Sequence, residues 1–329
     1  MRIGLTAGDP SGIGLEVVLK ALPRFIDRAE WVLFGERIDF ESAVGRFQPG
    51  LVWSETTGSP GSADPVRTGL WFRATGEAGE PATPGGGSPE SGRRALEALA
   101  AATDSVQAGD LDGIVTAPLS KRWAGAGFRG QTEFLRDRCG VGQVAMSFFT
   151  PTFKVVLATT HLALRDALDQ LSVALYSDLL ELTDREIRSM GYPKPRIAVA
   201  GVNPHAGEGG MFGSEEDDMI APAVEQCRNA GLDVSGPWPA DSCYSRAHAG
   251  EFDVVLAPYH DQGLIPVKLI ASGTSANVTL GLPFVRTSPD HGTAFPIAGR
   301  GIARPQGMES AMEWALELAG RRKRPGRIC

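Results

Sequence analysis

Cysteine is scarce in this 329-residue chain: Cys139, Cys227, Cys243 and Cys329 stand far apart, with no Cys-x-x-Cys pair. That excludes a zinc knuckle and a disulfide framework and leaves free thiols. Long apolar runs are missing too. No stretch approaches the ~18 uninterrupted apolar residues of a membrane span. The opening Met1-Arg2-Ile3-Gly4-Leu5-Thr6 lacks the apolar core and small-residue cleavage site of a secretory signal, so a cytoplasmic location is expected. Nor is there an excess of positive charge, since 32 Lys and Arg face 39 Asp and Glu for a net −7. Nucleic-acid binders need a cationic surface to displace counterions, so neither nucleic acid nor membrane is an expected partner. The run Arg321-Arg322-Lys323-Arg324 is the one basic exception and reads as a solvated tail.

What is present is apolar content of 42%, enough to bury a real core. The length is roughly twice a common domain of about 100–150 residues, which predicts two lobes. Arg2-Ile3-Gly4-Leu5-Thr6-Ala7 reads as a strand running into the turn Gly8-Asp9-Pro10-Ser11-Gly12-Ile13-Gly14, and the periodic run from Glu16 reads as a helix ending at Pro23. A second strand, Trp31-Val32-Leu33-Phe34-Gly35, follows at βαβ distance, which implies a parallel sheet. Residues 57–65 and 76–93, crowded with Gly, Pro, Ser and Thr, read as loops. A helix over 93–107 feeds the strand Gly113-Ile114-Val115-Thr116, with further helices expected near 166–190, 215–230 and 308–319. The pattern is α/β with a doubly wound sheet.

Three strand-like runs end in histidine. Val155-Val156-Leu157-Ala158-Thr159-Thr160 reaches His161, Ile197-Ala198-Val199-Ala200-Gly201 reaches His205 through Val202-Asn203-Pro204, and Val254-Val255-Leu256-Ala257-Pro258-Tyr259 reaches His260. Ligand crevices in open α/β sheets lie outside the carboxyl ends of strands, and imidazole is a common divalent-metal ligand. One such histidine commonly caps a loop; three sharing a placement point to a common site. His248 lies in a polar stretch and reads as a surface residue. Asp241 and Asp261 are candidates for orienting the histidines, with turn chemistry as the alternative. Lys121, Lys268 and Arg286, with Asn277 and Thr132, are candidates for gripping a phosphate or carboxylate, with solvated surface as the alternative. The glycine turn at 8–14 matches neither the dinucleotide fingerprint nor a P-loop, so it is assigned no cofactor.

Ordered blocks along nearly the whole chain resemble the 4-hydroxythreonine-4-phosphate dehydrogenase family. They are Thr6-Ala7-Gly8-Asp9-Pro10-Ser11-Gly12-Ile13-Gly14, Thr116-Ala117-Pro118-Leu119-Ser120-Lys121, Thr159-Thr160-His161, Asn203-Pro204-His205-Ala206-Gly207-Glu208, Tyr259-His260-Asp261-Gln262-Gly263 and Val278-Thr279-Leu280-Gly281-Leu282-Pro283. The resemblance implies a two-lobed α/β/α fold like that of isocitrate and isopropylmalate dehydrogenases, with 1–128 and 285–329 in one lobe and 129–284 in the other. It implies a homodimer whose active site lies in the cleft between lobes and is completed by the partner. It also implies a divalent metal (zinc, magnesium or cobalt) on His161, His205 and His260, and substrate contacts from residue 131, Thr132, Lys268, Asn277 and Arg286.

His291-Gly292-Thr293-Ala294-Phe295-Pro296-Ile297-Ala298-Gly299-Arg300-Gly301 resembles the nucleotide loop of the isocitrate-type enzymes, which implies NAD or NADP bound by His291, Gly292, Thr293 and Ala294. The implied reaction is oxidation of 4-phosphohydroxy-L-threonine to a 3-oxo acid that loses carbon dioxide to give 3-amino-2-oxopropyl phosphate, a step of pyridoxal phosphate biosynthesis. Two positions depart from the family pattern: Gln131 stands where histidine is usual, and Pro296 where aspartate is usual. Gln cannot become cationic, and Pro offers no acceptor to a ribose hydroxyl. These departures leave open a paralogue acting on another phosphorylated four-carbon acid, such as threonate or erythronate 4-phosphate. A metal-dependent phosphoester hydrolase and an inactive binding protein are the alternatives from other classes.

Overall fold

The computed structural model describes residues 1–56, 68–76 and 79–322. In chain order the elements are β1 (Arg2–Thr6), α1 (Gly14–Ala21), β2 (Glu30–Gly35), α2 (Arg37–Phe47), β3 (Ser54–Glu55), β4 (Gly69–Ala74), α3 (Pro89–Gln107), β5 (Gly113–Thr116) and α4 (Gln131–Cys139). There follow β6 (Ala145–Phe149), β7 (Lys154–Leu157), α5 (Leu164–Asp169), α6 (Val173–Ser189), β8 (Ile197–Ala200), α7 (Ala221–Asn229), β9 (Val234–Trp238), α8 (Ala240–His248), β10 (Val254–Ala257), α9 (His260–Ala271) and β11 (Ala276–Leu280). The chain closes with β12 (Val285–Ser288) and α10 (Gln306–Arg321). It divides into two compact units, Met1–Gly142 with Leu282–Gly320, and Gln143–Gly281 with Arg321 and Arg322 among the described residues.

The first unit carries the strand order β3-β4-β2-β1-β5-β12, parallel throughout. Its central strands are buried on both faces, as continuous apolar runs such as Trp31-Val32-Leu33-Phe34 require. Arg2 is tolerated there because Glu30, on the paired strand, accepts from its Nε at 2.7 Å and its Nη2 at 3.1 Å. The helix expected from 93 begins earlier. Ser88 caps the N-terminus of α3 by accepting from Ser91 N, Ser91 Oγ accepts from Ser88 N, and Pro89 takes the first turn, so 89–93 is helix rather than loop. Residues 57–65 lie outside the described residues. α4 belongs to this unit, where Arg138 donates to both carboxylate oxygens of Asp104 on α3, so the first unit extends past the approximate limit of 128 expected from sequence.

In the second unit the strand order is β11-β6-β7-β10-β8-β9, antiparallel at β11-β6-β7 and parallel from β7 to β9. Its core is built from Phe153, Val155, Leu157, Ala198, Val255 and Val267, all nearly or fully buried. The single helix expected over 166–190 is two helices, because Ser172 accepts from Leu175 N and starts α6 afresh. Arg322 is packed rather than part of a solvated tail, whereas Arg321 is exposed and rests on an aromatic ring. Arg321 lies 5.1 Å from the Tyr192 ring centroid, and Arg322 pairs with Glu186 at 3.5 Å. Lys323, Arg324 and Cys329 lie outside the described residues. Cys139, Cys227 and Cys243 are free thiols. Among the described residues no helix is long and apolar enough to cross a membrane.

Candidate active site

In the second unit β7, β10 and β8 are neighbours and run in the same direction, with Leu157 level with Ala257 and Leu256 level with Val199. The loops that leave their carboxyl ends therefore leave side by side, and these loops carry His161, His260 and His205. Hydrogen bonds tie them together. Thr159 Oγ1 donates to the Pro258 carbonyl at 2.8 Å, joining the His161 and His260 loops, and Gln262 Nε2 donates to the Gly201 carbonyl at 2.8 Å, joining α9 to the His205 loop. The His161 and His260 ring centroids stand 5.6 Å apart. His260 Nδ1 contacts Asp261 Oδ1 at 2.7 Å, a bond that orients the ring and leaves Nε2 as its other nitrogen.

His205 sits on the adjacent loop, five residues beyond the end of β8, in a left-handed backbone conformation with φ 54°. Among the described residues, no three His, Cys, Asp or Glu side chains gather closely enough in one chain to hold an ion. The donor set nonetheless suits a borderline divalent metal: two neighbouring imidazoles, one of them oriented by a carboxylate, with a third on the next strand.

The first unit carries a different chemistry. Arg286, on β12, is 3% exposed. Its Nε and Nη2 donate to Thr116 Oγ1 at 3.1 and 2.8 Å, and Nη2 also donates to Gln131 Oε1 at 3.1 Å. Burial lowers its pKa to about 10, against the attraction of Glu133, and it stays cationic at neutral pH. Gln131 is fixed from both ends, because its Nε2 donates to the Ala117 carbonyl at 3.0 Å. Its amide is thus turned to Arg286 and the backbone. Thr132, 9% exposed, follows in the first turn of α4. The contribution of Thr116 is invisible in a sequence, where it is one more β-branched strand residue. Only the parallel register that sets Arg286 beside Ile114 and Thr287 beside Val115 brings its hydroxyl under the guanidinium.

The nucleotide-type loop packs on the glycine turn. Ile13 N donates to the Thr293 carbonyl at 3.0 Å, and a Cβ on Gly12 would stand 2.9 Å from that same oxygen. Glycine at 12 is therefore needed for close approach of the chain to itself. Gly8, at φ 70°, would bring a Cβ within 2.4 Å of the Pro118 carbonyl. Asp9 Oδ1 accepts from Ser11 N at 3.0 Å and closes the turn. In 291–301, His291 Nδ1 contacts the Gly292 carbonyl at 3.1 Å, and its Nε2 is buried without a hydrogen-bond partner among the described residues. Ala294 holds φ 45°, uncommon for a residue with a Cβ. Pro296 is exposed and sits at the start of the short 3-10 turn Phe295–Ile297, where a missing N–H costs nothing.

Lys268 and Asn277 lie away from the strand ends that carry the histidines. Lys268 is eight positions along α9 from His260, about 12 Å at 1.5 Å per residue, and is exposed. Asn277 lies on β11, opposite Phe148 of β6 and so level with Val155 of β7, two strands across. Its Oδ1 is buried with no hydrogen-bond partner among the described residues. Asp241 is exposed in the first turn of α8, where a carboxylate complements the helix N-terminus. His248 is exposed and contacts Thr152 Oγ1.

Residues 56–315 match the family model described as pyridoxal phosphate biosynthetic protein PdxA. A 4-hydroxythreonine-4-phosphate dehydrogenase from Beijerinckia indica subsp. indica is 42% identical over 321 residues, covering 96% of this chain and 94% of its own length. A D-threonate 4-phosphate dehydrogenase from Salmonella typhimurium is 38% identical over 328 residues, covering 96% and 98%. The solved structure of a 4-hydroxythreonine-4-phosphate dehydrogenase from Klebsiella pneumoniae superposes with a TM-score of 0.86 at 37% identity, covering 97% of this chain and 99% of that one. The fold alone is shared with a β-decarboxylating dehydrogenase from Thermococcus kodakarensis, at 15% identity and a TM-score of 0.52, over 95% of this chain and 82% of that one. With a family model matched over 56–315 and relatives about 40% identical along nearly the full length, the chain belongs to the PdxA family.

Proposed function

We propose that this protein is a cytoplasmic, metal-dependent dehydrogenase that oxidises 4-phosphohydroxy-L-threonine with NAD or NADP. The carbinol C–H leaves as hydride and the O–H proton is lost, giving the 3-oxo acid. The bond to the carboxylate then breaks, its electron pair flows toward the ketone as carbon dioxide departs, and the resulting enolate takes a proton from solvent at carbon to give 3-amino-2-oxopropyl phosphate. The observation that carries this reading is the side-by-side exit of the His161, His260 and His205 loops from three adjacent parallel strands. When bound, the divalent ion makes the alcohol more acidic and polarises the forming carbonyl, while the nicotinamide accepts the hydride.

His161, His205 and His260 would hold the ion, and Asp261 would keep the His260 ring in its ligating tautomer. Arg286 and Thr132 would bind the substrate's anionic end, with Thr116 and Gln131 fixing the guanidinium. Lys268 and Asn277 would contribute from a second copy of the chain, since neither lies with the histidines in one. A homodimer is supported by apolar side chains left open on the second unit: Leu162, Phe212, Ile265, Leu269 and Ile270, exposed between 41% and 81%. His291, Gly292, Thr293 and Ala294 would hold the nucleotide.

A second substrate, D-threonate 4-phosphate, is favoured by one observation. The neutral Gln131 is engaged by Ala117 and Arg286, where the family pattern has a histidine that can carry charge. Reduced-nicotinamide formation with both phosphorylated acids and both nicotinamides, before and after chelation, tests the whole reading. Turnover that needs metal and one of these acids supports it. Phosphate release without nicotinamide would instead indicate a hydrolase, and saturable binding with no turnover an inactive paralogue.

A further inference from the structure

We propose that Glu216 is the positioning residue that sets His205 in its ligating pose; the inference rests on the reading that His205 holds a divalent ion. Glu216 is 1% exposed, in the π turn Glu216–Ile220 that leads into α7. Its carboxylate is committed to the loop that carries His205. Oε1 accepts from Val202 N and from Asn203 N, both at 2.7 Å, and Oε2 accepts from Asn203 Nδ2 at 2.9 Å. Asn203 Nδ2 is shared with Glu215 Oε2 at 2.6 Å.

The loop needs such a hold because its backbone is not at rest in an ordinary well. His205 and Ala206 both have φ 54°, Glu208 has φ 47°, and Gly207 between them has φ 80°. Successive left-handed residues bearing a Cβ persist only where the surroundings over-determine them. Glu216 supplies that constraint from beneath. A Cβ on Gly201 would stand 3.1 Å from Oε1, and one on Gly207 would stand 2.9 Å from Oε2, so both glycines make room for the same carboxylate. One side-chain oxygen accepting from two main-chain amides at 2.7 Å is a directional anchor. Glu216 is bonded to the loop rather than to the imidazole, so it acts through His205 and is not itself a ligand.

The test is equilibrium cobalt(II) binding to the full-length chain, read by the visible d–d absorption and by chelator competition. It compares wild type with Glu216→Asp, Glu216→Gln, Asn203→Ala and His205→Ala. Glu216→Asp, whose carboxylate is one methylene short of the loop amides, and Asn203→Ala should each weaken cobalt binding by about 10–100-fold, the usual effect of losing a ligand's support. Each should also shift the absorption envelope, while melting temperatures stay near wild type. Glu216→Gln keeps an oxygen for the two main-chain amides but turns an NH2 toward Asn203 Nδ2, so it should bind cobalt more tightly than Glu216→Asp and less tightly than wild type.

If Glu216→Asp does not fold, the cobalt affinity and spectrum of Asn203→Ala decide the matter. Wild-type cobalt affinity and spectrum in the folded variants, alongside a deficient His205→Ala, would overturn the role of Glu216 and leave the metal reading intact. Wild-type binding by His205→Ala would overturn both.

Discussion

Arg286 in the first unit is 3% exposed and clamped by Thr116 and Gln131, whereas His161, His205 and Asp261 in the second unit are open to solvent and Lys268 is about 12 Å along a helix from His260. The group proposed to bind the anion is preorganised within one chain. The histidines proposed to hold the metal are oriented but do not by themselves close a site. Preorganisation is worth most where the ligand brings its own full charge, as a phosphate does. A cation held by neutral imidazoles can wait for further donors, and the apolar side chains left uncovered on the same unit suit a second copy of the chain.

Separating two copies should break this contrast most severely. Leu269→Glu combined with Ile265→Glu, both on the exposed side of α9, is expected to give monomers by sedimentation and to cut turnover by about a thousandfold, the scale of several kcal/mol of metal-assisted stabilisation. A dimer of normal activity would show that α9 is not the contact. Next in size is Arg286→Ala, which should lower kcat/KM by roughly 10–100-fold through a lost charge-assisted anion contact of about 1.5–3 kcal/mol. Arg286→Lys should rescue little of it, because an ammonium cannot reproduce the fork that spans Thr116 and Gln131.

Asp261→Asn keeps the size but weakens the hold on His260, and about tenfold weaker metal binding by chelator competition is the expected result. Smallest is Gln131→Ala. It removes one bond that fixes the Arg286 guanidinium, which Thr116 still holds through Nε and Nη2, so KM should rise by only a few-fold with kcat nearly unchanged. A drop of a hundredfold in kcat would instead put Gln131 on the reacting atoms.

The strand-end histidines could be read from the sequence because a fully buried parallel strand is a short apolar run, and the residue that breaks it must lie near the carboxyl edge. Nothing in that pattern reveals Glu216. It lies in the acidic stretch Glu215-Glu216-Asp217-Asp218, which looks like solvated surface, and only the return of the chain beneath Gly201 buries it. The start of α3 is hidden for a related reason. Ser88-Pro89-Glu90-Ser91 has the composition of a turn, yet the same residues form a capping box. Asn277 and Lys268 look alike in sequence as isolated polar residues. Their different burial follows from strand pairing and helix facing, which no local window contains.

In the first unit β12 pairs with β5, and the two are separated along the chain by residues 143–281 of the second unit. During synthesis at roughly 5–20 residues per second, the nascent β5 edge therefore waits on the order of ten to thirty seconds before its neighbour leaves the ribosome. For that interval Thr116 has no guanidinium to receive, and the sheet that starts first must wait for its last strand.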